Sequence, residues 1–152
     1  MIFLIQRVSR AKVKIEKLVH SSIEKGLLIL VGISADDTVQ DVESLCNKAI
    51  NLRIFSDDEN KMNLSLLEIE GDLLVVSQFT LLANAKKGNR PSYTDAARPE
   101  IAKPLYEKVL ETFELKLNKQ ISSGIFGADM QISLENDGPV TIHLNSKQIT
   151  NK

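Results

Sequence analysis

Tryptophan is absent from this 152-residue chain, cysteine occurs once, histidine twice and glycine only seven times. Each scarcity removes a class of chemistry. The lone Cys46 cannot close an internal disulfide, and its place in a helical apolar pattern makes it a small buried side chain, which fits a reducing, cytoplasmic setting. So few histidines and cysteines exclude zinc sites of the usual kind. His20 falls beside an early turn and His143 alternates with Ile142 and Leu144 on a strand, so both read as surface or edge residues. A Ser-His-Asp triad is unsupported. No Walker loop and no Gly-x-Gly-x-x-Gly run is present, which removes the phosphate cradles of triphosphate and dinucleotide enzymes. The acidic run Ser56-Asp57-Asp58-Glu59-Asn60 lacks the oxygen-ligand spacing and closing Glu of a calcium loop and reads as a solvated corner. Neither a metal nor a cofactor is expected. No apolar run approaches the roughly 18 residues of a membrane span, and the first residues follow a strand pattern rather than that of a signal segment. Membrane attachment is not expected.

Charge excludes little more. Lys and Arg number 19 against 20 Asp and Glu, and a net charge of -1 argues against non-specific coating of nucleic acid. Lys86, Lys87, Arg90, Arg98 and Lys103 nevertheless gather in one Gly/Pro-punctuated stretch. Taken alone, that stretch reads as a solvated loop.

The apolar residues present, 43% of the chain, suffice for one core without crosslinks. Their spacing predicts strands over Ile2 to Val8, Ala11 to Glu16, Val19 to Ile23 and Leu27 to Ile33, an antiparallel meander. Asp36, Asp37 and Thr38 are N-cap candidates for a helix whose apolar face is Val39, Val42, Leu45, Cys46, Ala49 and Ile50 and which ends near Leu52. A short strand over Arg53 to Phe55 and an apolar strand over Leu73 to Gln78 follow. A second helix carries Leu105, Tyr106, Val109, Leu110 and Phe113. Pro99 suits its first position, but Pro104 would then remove an interior hydrogen bond, so the helix either starts near Lys103 or kinks there. Strands over Met130 to Glu135 and Val140 to Asn145 complete the chain. Without regular βαβ alternation, these elements predict an α+β fold: a mainly antiparallel curled sheet, barrel-like, with two main helices. Residues 1–145 are expected to form a single domain and 146–152 a polar, frayed tail.

Two stretches stand out. Asn136-Asp137-Gly138-Pro139-Val140-Thr141 lies where the flanking alternation, Met130, Ile132, Leu134 and then Val140, Ile142, Leu144, calls for a plain hairpin turn, and a Gly-Pro pair is unusual there. A Gly-Pro bond reaches the cis form at about 0.5–1 kcal/mol, against about 2.5–4 for other residues, and aims two carbonyl oxygens in a fixed direction. In the second stretch, the apolar run Leu73-Leu74-Val75-Val76 passes directly into Ser77-Gln78-Phe79-Thr80. Buried strands that end in small polar groups often end at a site.

Together with Gln6-Arg7-Val8, Arg53-Ile54-Phe55, Lys61-Met62-Asn63, Lys87-Gly88-Asn89-Arg90-Pro91-Ser92-Tyr93 and Gly124-Ile125-Phe126-Gly127-Ala128-Asp129-Met130, these stretches resemble the D-aminoacyl-tRNA deacylase family, Gly-cisPro type. The resemblance spans nearly the whole chain up to about Ser146. Departures are small: Tyr93 stands where the family has Phe, and Lys12 interrupts an Ala-Ser-Val run.

The resemblance implies a homodimer that hydrolyses the ester of D-aminoacyl-tRNA, with glycyl-tRNA(Ala) as a further substrate. It implies that Gly138-Pro139 is cis and enters the pocket of the other subunit, holding the α-amino group and crowding the face where an L side chain would project. Arg7 fixes that dipeptide, Ser77 and Gln78 line the pocket, and Phe126 and Met130 lie near the adenosine and the dipeptide. It also turns Lys86, Lys87 and Arg90 into contacts for the aminoacylated tRNA 3′ end, and makes the terminal 2′-hydroxyl a helper in activating water. The thin catalytic inventory agrees with a labile ester that needs positioning more than a strong base. In that reading the N–H groups of Phe79 and Thr80, beside Gln78, hold the oxyanion, each worth about 2.7–4 kcal/mol. The alternative gives the Thr80 hydroxyl the role of nucleophile. Two rivals remain: a non-catalytic nucleic-acid-binding homodimer using the basic loop, and a small-molecule esterase using Thr80.

Overall fold

The computed structural model describes residues 1–149 and carries one curled sheet with helices packed on one face. Its elements are β1 (Ile2–Ile15), β2 (Leu18–Ile23), β3 (Gly26–Gly32), α1 (Val39–Ile50), β4 (Phe55–Ser56), β5 (Met62–Leu64), β6 (Asp72–Ser77), a 3-10 turn (Phe79–Leu82), α2 (Pro99–Leu117), β7 (Ser122–Ser123), β8 (Gln131–Asn145) and α3 (Ser146–Ile149). The main sheet runs β2-β1-β3-β6-β7, with β8 on β1. Pairings of β1 with β2, β3 and β8 are antiparallel, whereas β3-β6 and β6-β7 are parallel. The sheet curls until β2 nears β7: Ser21 Oγ donates to Ser123 O at 2.8 Å and Ser122 Oγ to Ser22 O at 3.3 Å. The expected α+β fold with a curled sheet and two main helices is therefore observed, as an almost closed barrel.

Burial on both faces explains the unbroken apolar runs. Leu27, Ile29, Val31, Leu73 and Val75 join the core beneath the helices, while Leu28, Leu74 and Val76 face a second cluster with Val8, Val13 and Ile23 inside the curl. A strand covered on both sides has no polar face to alternate with. The helices bury Val42, Leu45, Cys46, Ala49 and Ile50 of α1 and Ala102, Tyr106, Val109 and Phe113 of α2, and Phe113 meets Phe3 with ring centroids 6.0 Å apart. Burial pushes the Cys46 thiol pKa up, away from reactivity. α1 starts at Thr38, whose N–H donates to the Asp41 carboxylate at 2.8 Å. α2 starts at Pro99 and runs through Pro104.

Three expectations need correction. The strands foreseen over Ile2 to Val8 and Ala11 to Glu16 are one 14-residue strand. Nor is Asn136 to Thr141 a hairpin turn, because both of its flanks pair with β1 rather than with each other. From Gln6↔Thr141 to Val8↔Asn136, β8 takes five steps where β1 takes two, so the Gly-Pro stretch is a bulge within one strand. The tail is not frayed over Ser146 to Ile149. Ser146 is fully buried, its N–H donates to Met1 O at 3.0 Å and its hydroxyl accepts from the Met1 amine at 2.9 Å. The same amine pairs with buried Asp37. A charge taken out of water needs such partners, and Ser146 supplies one. Residues 150–152 of the expected tail lie outside the described residues.

Gly26 lets β3 start against β6: a Cβ there would lie 1.9 Å from Asp72 O and 2.7 Å from Asp72 N. Backbone atoms cannot yield as a flexible side chain does. Gly26→Ala is therefore expected to lower the unfolding free energy in urea by more than about 3 kcal/mol.

Candidate active site

Where β6 ends, the chain turns sharply. The Gln78 N–H makes the last link to β3, donating to Val31 O at 2.7 Å, and the 3-10 turn closes through Leu81 N–H to Gln78 O at 3.2 Å and Ala83 N–H to Thr80 O at 3.1 Å. The N–H groups of Phe79 and Thr80 head this turn, where no earlier carbonyl of the turn can accept them. Gln78 Nε2 donates to the Thr80 hydroxyl at 2.5 Å. Beyond the turn, Asn84 and Ser92 exchange two backbone hydrogen bonds of 2.8 and 2.9 Å, closing a loop whose tip carries Lys86, Lys87 and Arg90, all exposed. Ala97 N–H to Ile33 O, 2.8 Å, then ties the chain back to the end of β3.

These ties frame a pocket of about 630 Å³, within the usual range for small-molecule sites. Ser77, Gln78 and Phe79 form one wall; Tyr93, Ala97 and Arg98 a second; Phe126, Asp129 and Met130 a third. Each aromatic is braced. Phe79 and Tyr93 meet edge to face with centroids 5.1 Å apart, and Phe126 lies 5.9 Å from Tyr106, whose hydroxyl donates to Val75 O at 2.9 Å. Burial pushes the Tyr106 phenol up. Among the described residues no histidine or cysteine lines the pocket, and Asp129 and Arg98 are the charged side chains that do. Among the described residues no group of three or more His, Cys, Asp or Glu is placed to hold a metal ion.

Ser77, Gln78, Phe79, Phe126 and Met130 thus gather at one pocket. Thr80 lies one residue outside its lining, and Lys86, Lys87 and Arg90 stand on the neighbouring loop. Asp129 went unassigned, although it lies inside the run from Gly124 to Met130. Arg98 was grouped with the basic loop but is a pocket wall, because it caps α2 where that helix meets the site.

Arg7, Gly138 and Pro139 lie elsewhere. Arg7 pairs with Leu27, four residues before Val31 on β3, or about 13 Å along the strand. The Gly138-Pro139 bond is cis, and both residues are exposed. Beneath them Arg7 Nε donates to Asp137 O at 3.0 Å, Arg7 Nη1 to Ile54 O at 2.5 Å, and the Asp137 carboxylate lies 3.4 Å from Nε. Asn136 closes the bulge by accepting the Val140 N–H at 2.8 Å and donating to Thr141 Oγ1 at 2.9 Å. Gly138 has φ +129, and a Cβ there would meet Arg7 Nη2 at 2.9 Å. Only glycine fits between bulge and guanidinium.

Comparison with known proteins decides the family: the model of the D-Tyr-tRNA(Tyr) deacylase family matches residues 4–145. The chain belongs to that family. It is 59% identical over 97% of its length to the D-aminoacyl-tRNA deacylase of Cytophaga hutchinsonii, covering 98% of that relative. With the same-named protein of Thermosipho melanesiensis it shares 51% identity, over 96% of this chain and 97% of the other. A solved structure named "c-Myc DNA Unwinding Element Binding Protein" matches with TM-score 0.91 and 39% identity over 95% of this chain and 98% of its own. The fold alone is shared with "Structural Analysis of a probable eukaryotic D-amino acid tRNA deacylase", TM-score 0.83 at 16% identity, covering 94% of this chain and 97% of that one. The activity is that of the family, hydrolysis of D-aminoacyl-tRNA, and aminoacylated tRNA is the substrate. Among the described residues no helix is long and apolar enough to cross a membrane.

Arg7 is 9% exposed and holds two backbone carbonyls, so removing its side chain leaves acceptors without partners. Arg7→Ala is expected to lower stability by about 1–3 kcal/mol, read from urea unfolding. Arg7→Lys should recover only part, since an ammonium lacks the guanidinium fork.

Proposed function

We propose that the pocket hydrolyses the ester of D-aminoacyl-tRNA, and of glycyl-tRNA(Ala), while sparing L-aminoacyl-tRNA, as a proofreading step of cytoplasmic translation. One observation carries this reading: the chain has a pocket beside the 3-10 turn that Phe79 and Thr80 head and, outside that pocket's lining, an exposed Gly138-Pro139 bulge stiffened by Arg7. In a homodimer each bulge enters the pocket of the other protomer. Its carbonyl oxygens accept from the substrate α-amino group and crowd the Cα face where an L side chain would project. A D side chain points outward, so no pocket for it is required, and selection proceeds by clash.

Chemistry then needs little from side chains. Water adds to the ester carbonyl carbon, the oxyanion accepts from the N–H groups of Phe79 and Thr80, and collapse expels the ribose 3′-oxygen, which gains a proton. The substrate's 2′-hydroxyl helps activate the water. This division of labour is supported by a pocket that, among the described residues, is lined by no histidine or cysteine. Lys86, Lys87 and Arg90 meet the phosphates of the tRNA end.

A second reading, a non-catalytic nucleic-acid-binding homodimer, is favoured by the 39% identical protein named for binding a DNA unwinding element. Turnover separates the two. D-aminoacyl-tRNA should be hydrolysed at least 100-fold faster than its L counterpart. Binding of both without turnover supports the second reading, and cleavage of simple activated esters without RNA would favour a small-molecule esterase.

The source of the proton transfer is tested separately. Substrate ending in 2′-deoxyadenosine should react about 100-fold more slowly. Thr80→Ala and Asp129→Asn should each keep activity within about tenfold. Loss of activity in folded Thr80→Ala would make its hydroxyl the nucleophile, and the same loss in Asp129→Asn would make that carboxylate the base.

A further inference from the structure

The edge-to-face pair of Phe79 and Tyr93 is exposed on a protein that otherwise buries its rings well: Phe79 is 57% and Tyr93 40% exposed, whereas Phe3, Phe55, Phe113 and Tyr106 are buried. Local structure holds the pair in the open. Phe79 heads the 3-10 turn, and Tyr93 lies between the Asn84–Ser92 tie and the Ala97–Ile33 tie, with Tyr93 O accepting the Ala96 N–H at 3.1 Å. Both residues line the pocket described above. An edge-to-face contact occupies one face of one ring and leaves further ring surface for another planar group.

Cations flank the pair without internal partners. Among the described residues Lys86, Lys87, Arg90 and Arg98 form no ion pair, which they share with Lys12, Lys14, Lys17, Lys25, Lys48, Arg53 and Lys116; what sets these four apart is their place in the chain beside the two rings. Three of these cations stand on the loop closed at Asn84 and Ser92, and Arg98 stands on the pocket wall. Exposed rings beside unpaired cations, continuous with a pocket, suit a single-stranded nucleic acid whose bases stack while its backbone meets positive charge.

We propose that Phe79 and Tyr93 are a stacking platform for the unpaired nucleotides that immediately precede the terminal adenosine of the substrate. Grip on the RNA therefore extends beyond the pocket by one or two nucleotides. Stacking tolerates any base, so the platform adds affinity without choosing among tRNAs. The proposal rests on the functional reading above for the identity of the strand, but it concerns binding, and binding tests it without turnover.

The test measures affinity of the full-length protein for adenosine 5′-monophosphate and for the unacylated ribotrinucleotide cytidyl-cytidyl-adenosine. The trinucleotide should bind roughly tenfold more tightly. Tyr93→Ala should remove most of that advantage, while Tyr93→Phe, which keeps the ring, retains it. Equal affinity of the unaltered protein for both ligands overturns the platform, and that comparison needs no variant to fold. So does an advantage that survives in folded Tyr93→Ala. A protein that shows the trinucleotide advantage yet hydrolyses no D-aminoacyl-tRNA keeps the platform and loses the hydrolytic reading, so the two fail separately.

Discussion

The parallel pairing of β3 with β6 fixes where the pocket stands. From Gly26↔Asp72 to Val31↔Ser77 the two strands run in register, so both end at one level and the chain leaves each beside the other. Burial on both faces holds that register, because a slip of one residue would exchange the side chains facing the helices for those facing the inside of the curl. Close approach at Gly26 sets the start of the pairing, and the Gln78 N–H to Val31 O bond sets its end. Phe79 and Thr80 therefore head a turn whose position is determined by the core. A site made of main-chain donors needs this, since such groups cannot reorient by changing rotamer.

The bulge in β8 depends on a different device. Arg7 brings a cation under the bulge and there binds main-chain oxygens of two segments distant in sequence, Ile54 and Asp137. The partly exposed Asp137 carboxylate offsets some of the charge, and Asn136 ties the two ends of the bulge together. Its exposed tip, Gly138 and Pro139, is thus the end of a braced structure, unlike an ordinary surface turn. Stiffness matters for the proposed gate, because rejection by clash works only if the obstructing group does not move aside.

Helices were the most legible part of the sequence, since α1 presents one apolar stripe and Val42, Leu45, Cys46, Ala49 and Ile50 all reach the core. The two continuous strands were less so. Alternation on either side of Gly138-Pro139 is the same for a hairpin and for one strand with a bulge, and only β1, far away in sequence, decides between them. The β1–β2 turn is built from Glu16 and Lys17 at positive φ, where glycine or asparagine usually marks such a turn, yet the apolar alternation placed the end of β1 within one residue, and what it missed was the continuity of β1 from Val8 to Ala11. Polar Ser146 read as tail because its partner, the Met1 amine, is at the opposite end of the chain. At the pocket, Ser77, Gln78, Phe79, Phe126 and Met130 could be named because two short motifs carry them. Asp129 and Arg98 could not be assigned, since their role depends on three segments meeting where β3 and β6 end.

Scarcity of titratable groups in the pocket follows from the same architecture. Its walls are strand ends, a tight turn and the start of a helix, all of which present backbone, and most of the side chains that fill the space between them are apolar. An ester that carries its own neighbouring hydroxyl fits such a site better than a substrate that requires a strong base, because a nearly apolar wall would penalise a charged base while leaving fixed N–H dipoles effective. The two charged side chains stand on separate segments, Arg98 where α2 begins and Asp129 in the run before β8. On the proposed reading, selectivity comes from shape at Cα and grip from the nucleic acid, so that the bulge and the exposed aromatic strip serve different parts of one substrate.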